Sequence, residues 1–163
     1  MKNSKIKITI IDGYLDEPSS LGVPPYISPH IRYLWGALLE AGIKADNLNY
    51  LTIDQLRQNK ENKLKKKKNL NLVILTAGTT VHGHYLGGQP ASAAEIKEIG
   101  RKIFYPTKVL AGPITLIPKM REKFKADYDL LASEIAALDL FERLQEKEIE
   151  PAEVDFYINK FAL

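Results

Sequence analysis

Apolar residues gather in five short runs along the chain, at residues 6–11, 49–53, 72–76, 109–114 and 129–133. Each run is apolar or rich in β-branched residues at nearly every position, not at alternate ones. That pattern belongs to strands buried on both faces, as in a parallel sheet. Between the runs the spacing changes to three and four, which predicts helices over residues 28–41, 54–59, 92–104, 118–125 and 136–147. On the first of these, Ile31, Leu34, Trp35, Leu38 and Leu39 form one apolar stripe. Trp35 is therefore a core residue, and Gly42 is the helix stop. Ser92-Ala93-Ala94-Glu95 is a capping box, in which serine and glutamate satisfy each other's end of the first turn. Asp54 is placed to cap the short helix.

Strict alternation of strand and helix predicts a doubly wound α/β domain. With five strands and right-handed crossovers, the expected sheet is parallel in the flavodoxin-like order 2-1-3-4-5, with helices on both faces. This domain is expected to occupy residues 1–148. Residues 149–163 then form a helix or linker, with Pro151 at a first turn and Val154, Ile158 and Phe161 on one side.

Such a topology brings the connections after strands one, three, four and five to the carboxyl edge of the sheet, where doubly wound folds bind ligands. After strand one come Asp12, Gly13 and Tyr14, then Gly22-Val23-Pro24-Pro25-Tyr26-Ile27-Ser28-Pro29-His30, a connection far longer than the usual few residues. After strand three, Ala77-Gly78-Thr79-Thr80-Val81-His82-Gly83-His84-Tyr85-Leu86-Gly87-Gly88-Gln89-Pro90 carries four glycines. Ala111-Gly112-Pro113-Ile114-Thr115 follows strand four, and Ser133-Glu134 follows strand five. Glycines on several connections of one edge let backbone approach a large or flat ligand closely.

Composition narrows the chemistry. The 163 residues are 45% hydrophobic and 26% charged, a balance that suits one well-buried globular domain. No apolar run approaches the ~18 residues of a membrane span, and the polar start is unlike a signal peptide, so a cytoplasmic protein without a membrane partner is expected. The chain has no cysteine, which removes disulfides, thiolate nucleophiles and cysteine-held clusters. Much of the net charge of +3 comes from Lys60, Lys63, Lys65, Lys66, Lys67 and Lys68. That run contains neither arginine nor aromatic residues, so it reads as a solvated linker, and no nucleic-acid partner is expected.

Several sheet-edge chemistries are excluded by residue type. A receiver domain needs a phospho-accepting aspartate after strand three, where this chain has Thr76-Ala77-Gly78. There is no Gly-x-Gly-x-x-Gly after strand one, no Walker loop and no Gly-x-Ser-x-Gly elbow. His82 and His84 could share a metal with His30, Asp12, Asp16 or Glu134, but the spacing matches no metal motif, and both read as pocket-lining polar residues. No catalytic residue and no metal site are assigned.

As an ensemble, the motifs resemble the amino-terminal domain that precedes the radical S-adenosylmethionine barrel in the cobalamin-binding class of those enzymes. The resemblance rests on Ile10-Ile11-Asp12, Val23-Pro24-Pro25-Tyr26, Leu38-Leu39-Glu40-Ala41-Gly42 and Tyr50-Leu51-Thr52-Ile53-Asp54. Ala111-Gly112-Pro113 with Thr115 matches the family's Gly-Gly-Pro, and Ala132-Ser133-Glu134 partly matches its Gly-Glu turn. Asp12-Gly13-Tyr14-Leu15-Asp16-Glu17-Pro18 and Gly87-Gly88-Gln89-Pro90-Ala91-Ser92 look more narrowly like an uncharacterised archaeal branch of radical SAM proteins. The likeness spans about residues 5–148. The family's Cys-x-x-x-Cys-x-x-Cys motif is missing, and so is the Asp-x-His-x-x-Gly cobalt-ligand motif of cobalamin-dependent mutases and methyltransferases, which relatives in the radical class commonly lack. A serine, Ser133, also stands where the family has glycine.

The resemblance implies a cobalamin-binding-like or docking domain that is not catalytic alone, whether as a fragment or as a stand-alone relative. Its partner would be a radical SAM catalytic domain in the same polypeptide. That missing downstream domain would hold the iron–sulfur cluster and S-adenosylmethionine. If cobalamin binds, the implied cofactor contacts are Asp12, Gly13, Pro24, Pro25, Gly78, Thr79, Gly112, Pro113, Thr115 and Glu134, with His82, His84 and Tyr85 near the metal face. The alternatives are a structural domain without cofactor, or a stand-alone small-molecule binder or hydrolase on the same fold.

Overall fold

The computed structural model describes residues 7–14, 29–40, 42–58, 72–78, 89–102 and 107–132. Five parallel strands, β1 (Ile8–Asp12), β2 (Leu48–Thr52), β3 (Leu72–Thr76), β4 (Thr107–Ala111) and β5 (Leu130–Ala132), form one sheet in the order β2-β1-β3-β4-β5. This is the expected doubly wound order. The helices are α1 (Pro29–Glu40), α2 (Ile53–Gln58), α3 (Ala93–Lys102) and α4 (Pro118–Phe124). The expected helices at 136–147 and 151–163 lie outside the described residues, as does the Lys60–Lys68 run.

Successive side chains of a strand point to opposite faces, so the near-continuous apolar runs divide into two cores. Ile8 and Ile10 pack on one face with Leu48, Leu72, Ile74 and Val109, under Ile31, Leu34 and Leu38 of α1. Ile11, Val73, Leu75 and Leu110 pack on the other, under Ile53 of α2, Ile96 and Ile99 of α3, and Phe124 of α4. Trp35 lies half-buried against the first core, as its stripe predicted, whereas Leu39 turns out to be exposed. Truncating a fully buried Ile or Leu in either core to alanine costs roughly 2–5 kcal/mol.

Local chemistry sets the boundaries. Helix α1 ends in a Schellman motif: the Ile43 amide donates to Leu38 O at 3.0 Å and the Gly42 amide to Leu39 O at 2.9 Å. Gly42 sits at φ +84°, the left-handed region that glycine enters without a Cβ penalty. Leu38 and Ile43, the two apolar residues that flank the motif, both belong to the first core.

Three expected boundaries move. β2 stops at Thr52, and Ile53 begins α2 instead of ending the strand. The cap of α2 is Thr52, not Asp54: Thr52 Oγ1 accepts the Gln55 amide at 3.2 Å, and Gln55 Oε1 accepts the Thr52 amide at 3.0 Å. This is a capping box, and it leaves the Asp54 carboxylate for other partners. β4 ends at Ala111, and the apolar residues that follow it form a 3-10 turn at Pro113–Leu116. Pro113, which has no amide to give to a ladder, accounts for the stop.

A candidate ligand edge at the strand exits

The last rung of the sheet runs Thr52, Asp12, Thr76, Ala111, Ala132 across all five strands. Order 2-1-3-4-5 reverses winding direction between β1 and β3, so their carboxyl ends form the topological switch point. Asp12 and Gly13 leave β1 there, and Gly78 leaves β3 close by. The crevice is drawn tight on one side. The Gly13 amide donates to Thr76 O at 2.8 Å, and Gly13 O accepts the Ala91 amide at 2.8 Å. A Cβ on Gly13 would stand 2.6 Å from Thr76 O and 3.3 Å from the Ala91 methyl. Glycine is required here by the packing of β1 against β3 and the entry to α3.

Asp12 is the buried carboxylate of this edge, only 2% exposed. Its Oδ1 accepts the Tyr14 amide at 2.9 Å and its Oδ2 accepts the Tyr50 hydroxyl at 2.9 Å. Burial raises the Asp12 pKa, and these two donors partly offset it by favouring the charged form. The same burial, together with the nearby Asp12 charge, pushes the Tyr50 phenol upward. Tyr14 has φ 58°, an unusual conformation for a bulky residue, and here its amide points at the carboxylate two residues earlier.

From Tyr14 a polar chain continues across α2 to α3. The Tyr14 hydroxyl donates to Asp54 Oδ2 at 3.1 Å, and Asp54 Oδ1 accepts Arg57 Nη1 at 2.6 Å. Arg57 also donates through Nη1 to Gln89 O at 2.6 Å and through Nη2 to Pro90 O at 3.2 Å. Its Nε and Nη2 clasp the two oxygens of Glu95 at 2.8 and 3.0 Å. A guanidinium has five N–H donors, and these five bonds engage them all. Glu95, held also by Ser92, has its pKa lowered to about 2, first by Arg57. The capping box expected at Ser92 is present: the Ser92 amide donates to Glu95 Oε2 at 2.9 Å, and the Glu95 amide to Ser92 Oγ at 3.3 Å.

On the other side of the edge, the exit of β4 is a fastened turn. Gly112 takes φ 98°, and the Thr115 hydroxyl lies 2.8 Å from Gly112 O and 3.1 Å from Ala132 O at the end of β5. The Ala77 amide donates to Ala111 O at 2.9 Å and the Ile114 amide to Ala77 O at 3.3 Å. Ile114 is thereby buried, while Leu116 points outward, 67% exposed.

Of the residues singled out from sequence, Asp12, Gly13, Gly78, Gly112, Pro113 and Thr115 lie along this one edge. Pro24, Pro25, Thr79, His82, His84, Tyr85 and Glu134 fall outside the described residues. Gly13 and Thr115 are engaged in holding the edge together, which accounts for both residue types without a ligand. Gly78 and Gly112 are buried at the exits of β3 and β4. Tyr14, Tyr50, Asp54, Arg57 and Glu95 were not foreseen as one network. The Asp54–Arg57 and Ser92–Glu95 pieces are each three positions apart and carry a local signal, but Arg57 meets Glu95 across 38 positions. Among the described residues no group of three or more His, Asp or Glu gathers as a metal site, and no helix is long and apolar enough to cross a membrane.

No known protein-family profile matches the chain. An uncharacterised protein of Archaeoglobus fulgidus is 43% identical over 117 residues, covering 72% of this chain and 21% of that protein. An uncharacterised protein of Methanocaldococcus jannaschii is 34% identical over 160 residues, covering 91% of this chain and 28% of that protein. The chain therefore spans about a quarter of the length of the curated relatives it matches. Among solved structures, the RcsB response regulator of Salmonella typhimurium superposes with a TM-score of 0.50 at 13% identity, over 96% of this chain and 69% of that one. At that identity the likeness concerns the fold alone. The fold is the flavodoxin-like one, and the match does not extend to receiver chemistry: β3 ends in Thr76, followed by Ala77 and Gly78, with no carboxylate.

Proposed function

We propose that the chain is a cofactor-binding-like or docking domain of a radical SAM enzyme, with the catalytic chemistry carried elsewhere in a longer polypeptide. The observation that carries this reading is the switch-point edge itself, with Gly78 and Gly112 buried at two strand exits beside the buried Asp12. The motif resemblance supplies the family. The short share of the archaeal relatives that the chain covers is in keeping with a domain of a larger protein.

Whether cobalamin belongs on this edge depends on free groups to meet it. Gly13 has its amide and carbonyl engaged within the fold, and the Thr115 hydroxyl lies against two carbonyls. Those two residues leave no free hydrogen-bond donor for a cofactor. The described residues thus favour the docking form of the proposal, in which the edge packs on a catalytic domain without holding a corrinoid.

Two measurements test the proposal. A full-length archaeal relative, purified anaerobically, should carry iron and sulfide in cluster stoichiometry; a protein free of both after reconstitution would sink the radical SAM assignment. The visible spectrum of the present chain, mixed with hydroxocobalamin and desalted, separates the two forms. Absorbance lost on desalting agrees with docking, and retained absorbance at one corrinoid per chain overturns it in favour of cofactor binding.

A further inference from the structure

The polar chain at the switch point links two places that are far apart in sequence. One is the exit of β1, where Tyr14 opens the connection to α1. The other is the return into α3, at Gln89–Ser92. Asp54 stands between them with one oxygen for each side: Oδ2 for the Tyr14 hydroxyl and Oδ1 for Arg57. Arg57 then holds the carbonyls of Gln89 and Pro90 and both oxygens of Glu95, and Glu95 holds the Ser92 amide. At the near end, the Tyr14 amide is held by Asp12, which also holds Tyr50.

We propose that Asp54 is a coupling residue that makes these two walls of the edge order and loosen together. The inference goes beyond the proposed function and stands independently of any cofactor. Its physical basis is geometric. Arg57 has all five donors engaged, so it can shift only by breaking a bond, and a charged hydrogen bond is stronger than a neutral one. If the Tyr14 hydroxyl lets go, Asp54 gains freedom, Arg57 loses a fixed acceptor, and its hold on the Gln89–Ser92 segment, through four remaining bonds, loosens. By linkage the effect runs equally in reverse. Whatever binds against Tyr14 therefore alters the order of the return into α3, and the edge responds to a ligand or partner as one unit.

Amide hydrogen exchange on the whole chain, followed residue by residue by NMR, tests the coupling. The Tyr14 amide reports the β1 side through Asp12, and the Ser92 amide reports the α3 side through Glu95. Tyr14→Phe removes only the hydroxyl, yet exchange at Ser92 should rise about two- to fivefold, in the range of a single lost hydrogen bond. Arg57→Gln should accelerate exchange at the Tyr14 amide, which Arg57 does not touch; Arg57→Lys, which keeps the charge, gives the same reading if the glutamine variant fails to fold. Strand amides at Ile10 and Leu75 serve as controls for global stability and should not change in proportion. In an Asp54→Ala background, adding Tyr14→Phe should leave Ser92 unaltered. Ser92 exchange that ignores Tyr14→Phe, or that responds equally with Asp54 removed, overturns the proposal.

Discussion

The Tyr50 hydroxyl donates a 2.9 Å hydrogen bond to Asp12, joining β2 to the buried carboxylate that ends β1. The two donors to this carboxylate, the Tyr50 hydroxyl and the Tyr14 amide, are neutral, so burial dominates and the Asp12 pKa is raised. A carboxyl group with a raised folded pKa favours folding most when it is protonated. Its contribution is fully present below the unfolded value near 3.8 and is lost as pH rises through the folded pKa. Asp12→Asn should remove this falling component. Urea titrations at a series of pH values from 4 upward should show a flatter or rising profile in the variant, and an unchanged slope would refute the assignment. Tyr50→Phe should cost about 1–2 kcal/mol, because the buried Asp12 carboxyl group loses a hydrogen-bond donor.

Glu95 behaves in the opposite sense. Its pKa is lowered to about 2 from an ordinary 4.5, because ionised Glu95 is clasped by Arg57. That stabilisation is present above pH 4.5 and is lost as pH falls toward 2. Acid titration of stability in the wild type should therefore include a loss in this window that Glu95→Gln lacks. The two partners are about a quarter to a third exposed, so solvent screening keeps the size of the effect modest. Equal acid sensitivity of the two proteins would mean that Glu95 does not hold the return into α3.

Much of the fold was legible because it rests on patterns that are local or periodic. The apolar runs located all five strands, their alternation with helices led to the order of the sheet, and Ser92-x-x-Glu95 marked the start of α3. The errors lie where two local signals compete. Thr52-Ile53-Asp54-Gln55 contains both a β-branched pair, which suggests a longer strand, and a Thr-x-x-Gln capping box, which ends it; the capping box prevails. The candidate edge was legible only as a location. The network of Tyr14, Tyr50, Asp54, Arg57 and Glu95 depends on contacts across 38 to 40 positions, which no local spacing announces. The role of Gly13 was legible as a close approach, but the partner in that approach proved to be Thr76 and Ala91.

The Thr52 cap makes its own prediction. Thr52→Ala removes the acceptor for the Gln55 amide at the start of a helix of only 6 residues, and should cost about 1 kcal/mol in stability. Gln55→Ala removes the reciprocal half of the same box. Because Arg57 is presented by this helix, either variant should also accelerate amide exchange at Ser92. A loss of stability with Ser92 exchange unchanged would separate the cap from the Arg57 network.

Glycines on two helices should respond to alanine with opposite signs. Gly36 lies on the exposed side of α1, and a Cβ there meets nothing within 4 Å. Gly36→Ala should therefore stabilise the protein by up to about 1 kcal/mol through helix propensity alone. Gly100 lies on α3 against the segment that leads into β5, and a Cβ there would stand 2.7 Å from the Tyr128 ring and 2.8 Å from Asp127 O. Tyr128 has little room to withdraw, since its hydroxyl donates to Ile96 O at 2.6 Å. The same propensity gain applies at Gly100, but overpacking costs roughly 1–3 kcal/mol and exceeds it. Gly100→Ala should lower the melting temperature while Gly36→Ala raises it. If both variants raised it, α3 would have to sit farther from Tyr128 than this packing requires, and the second core would be looser than its buried residues indicate.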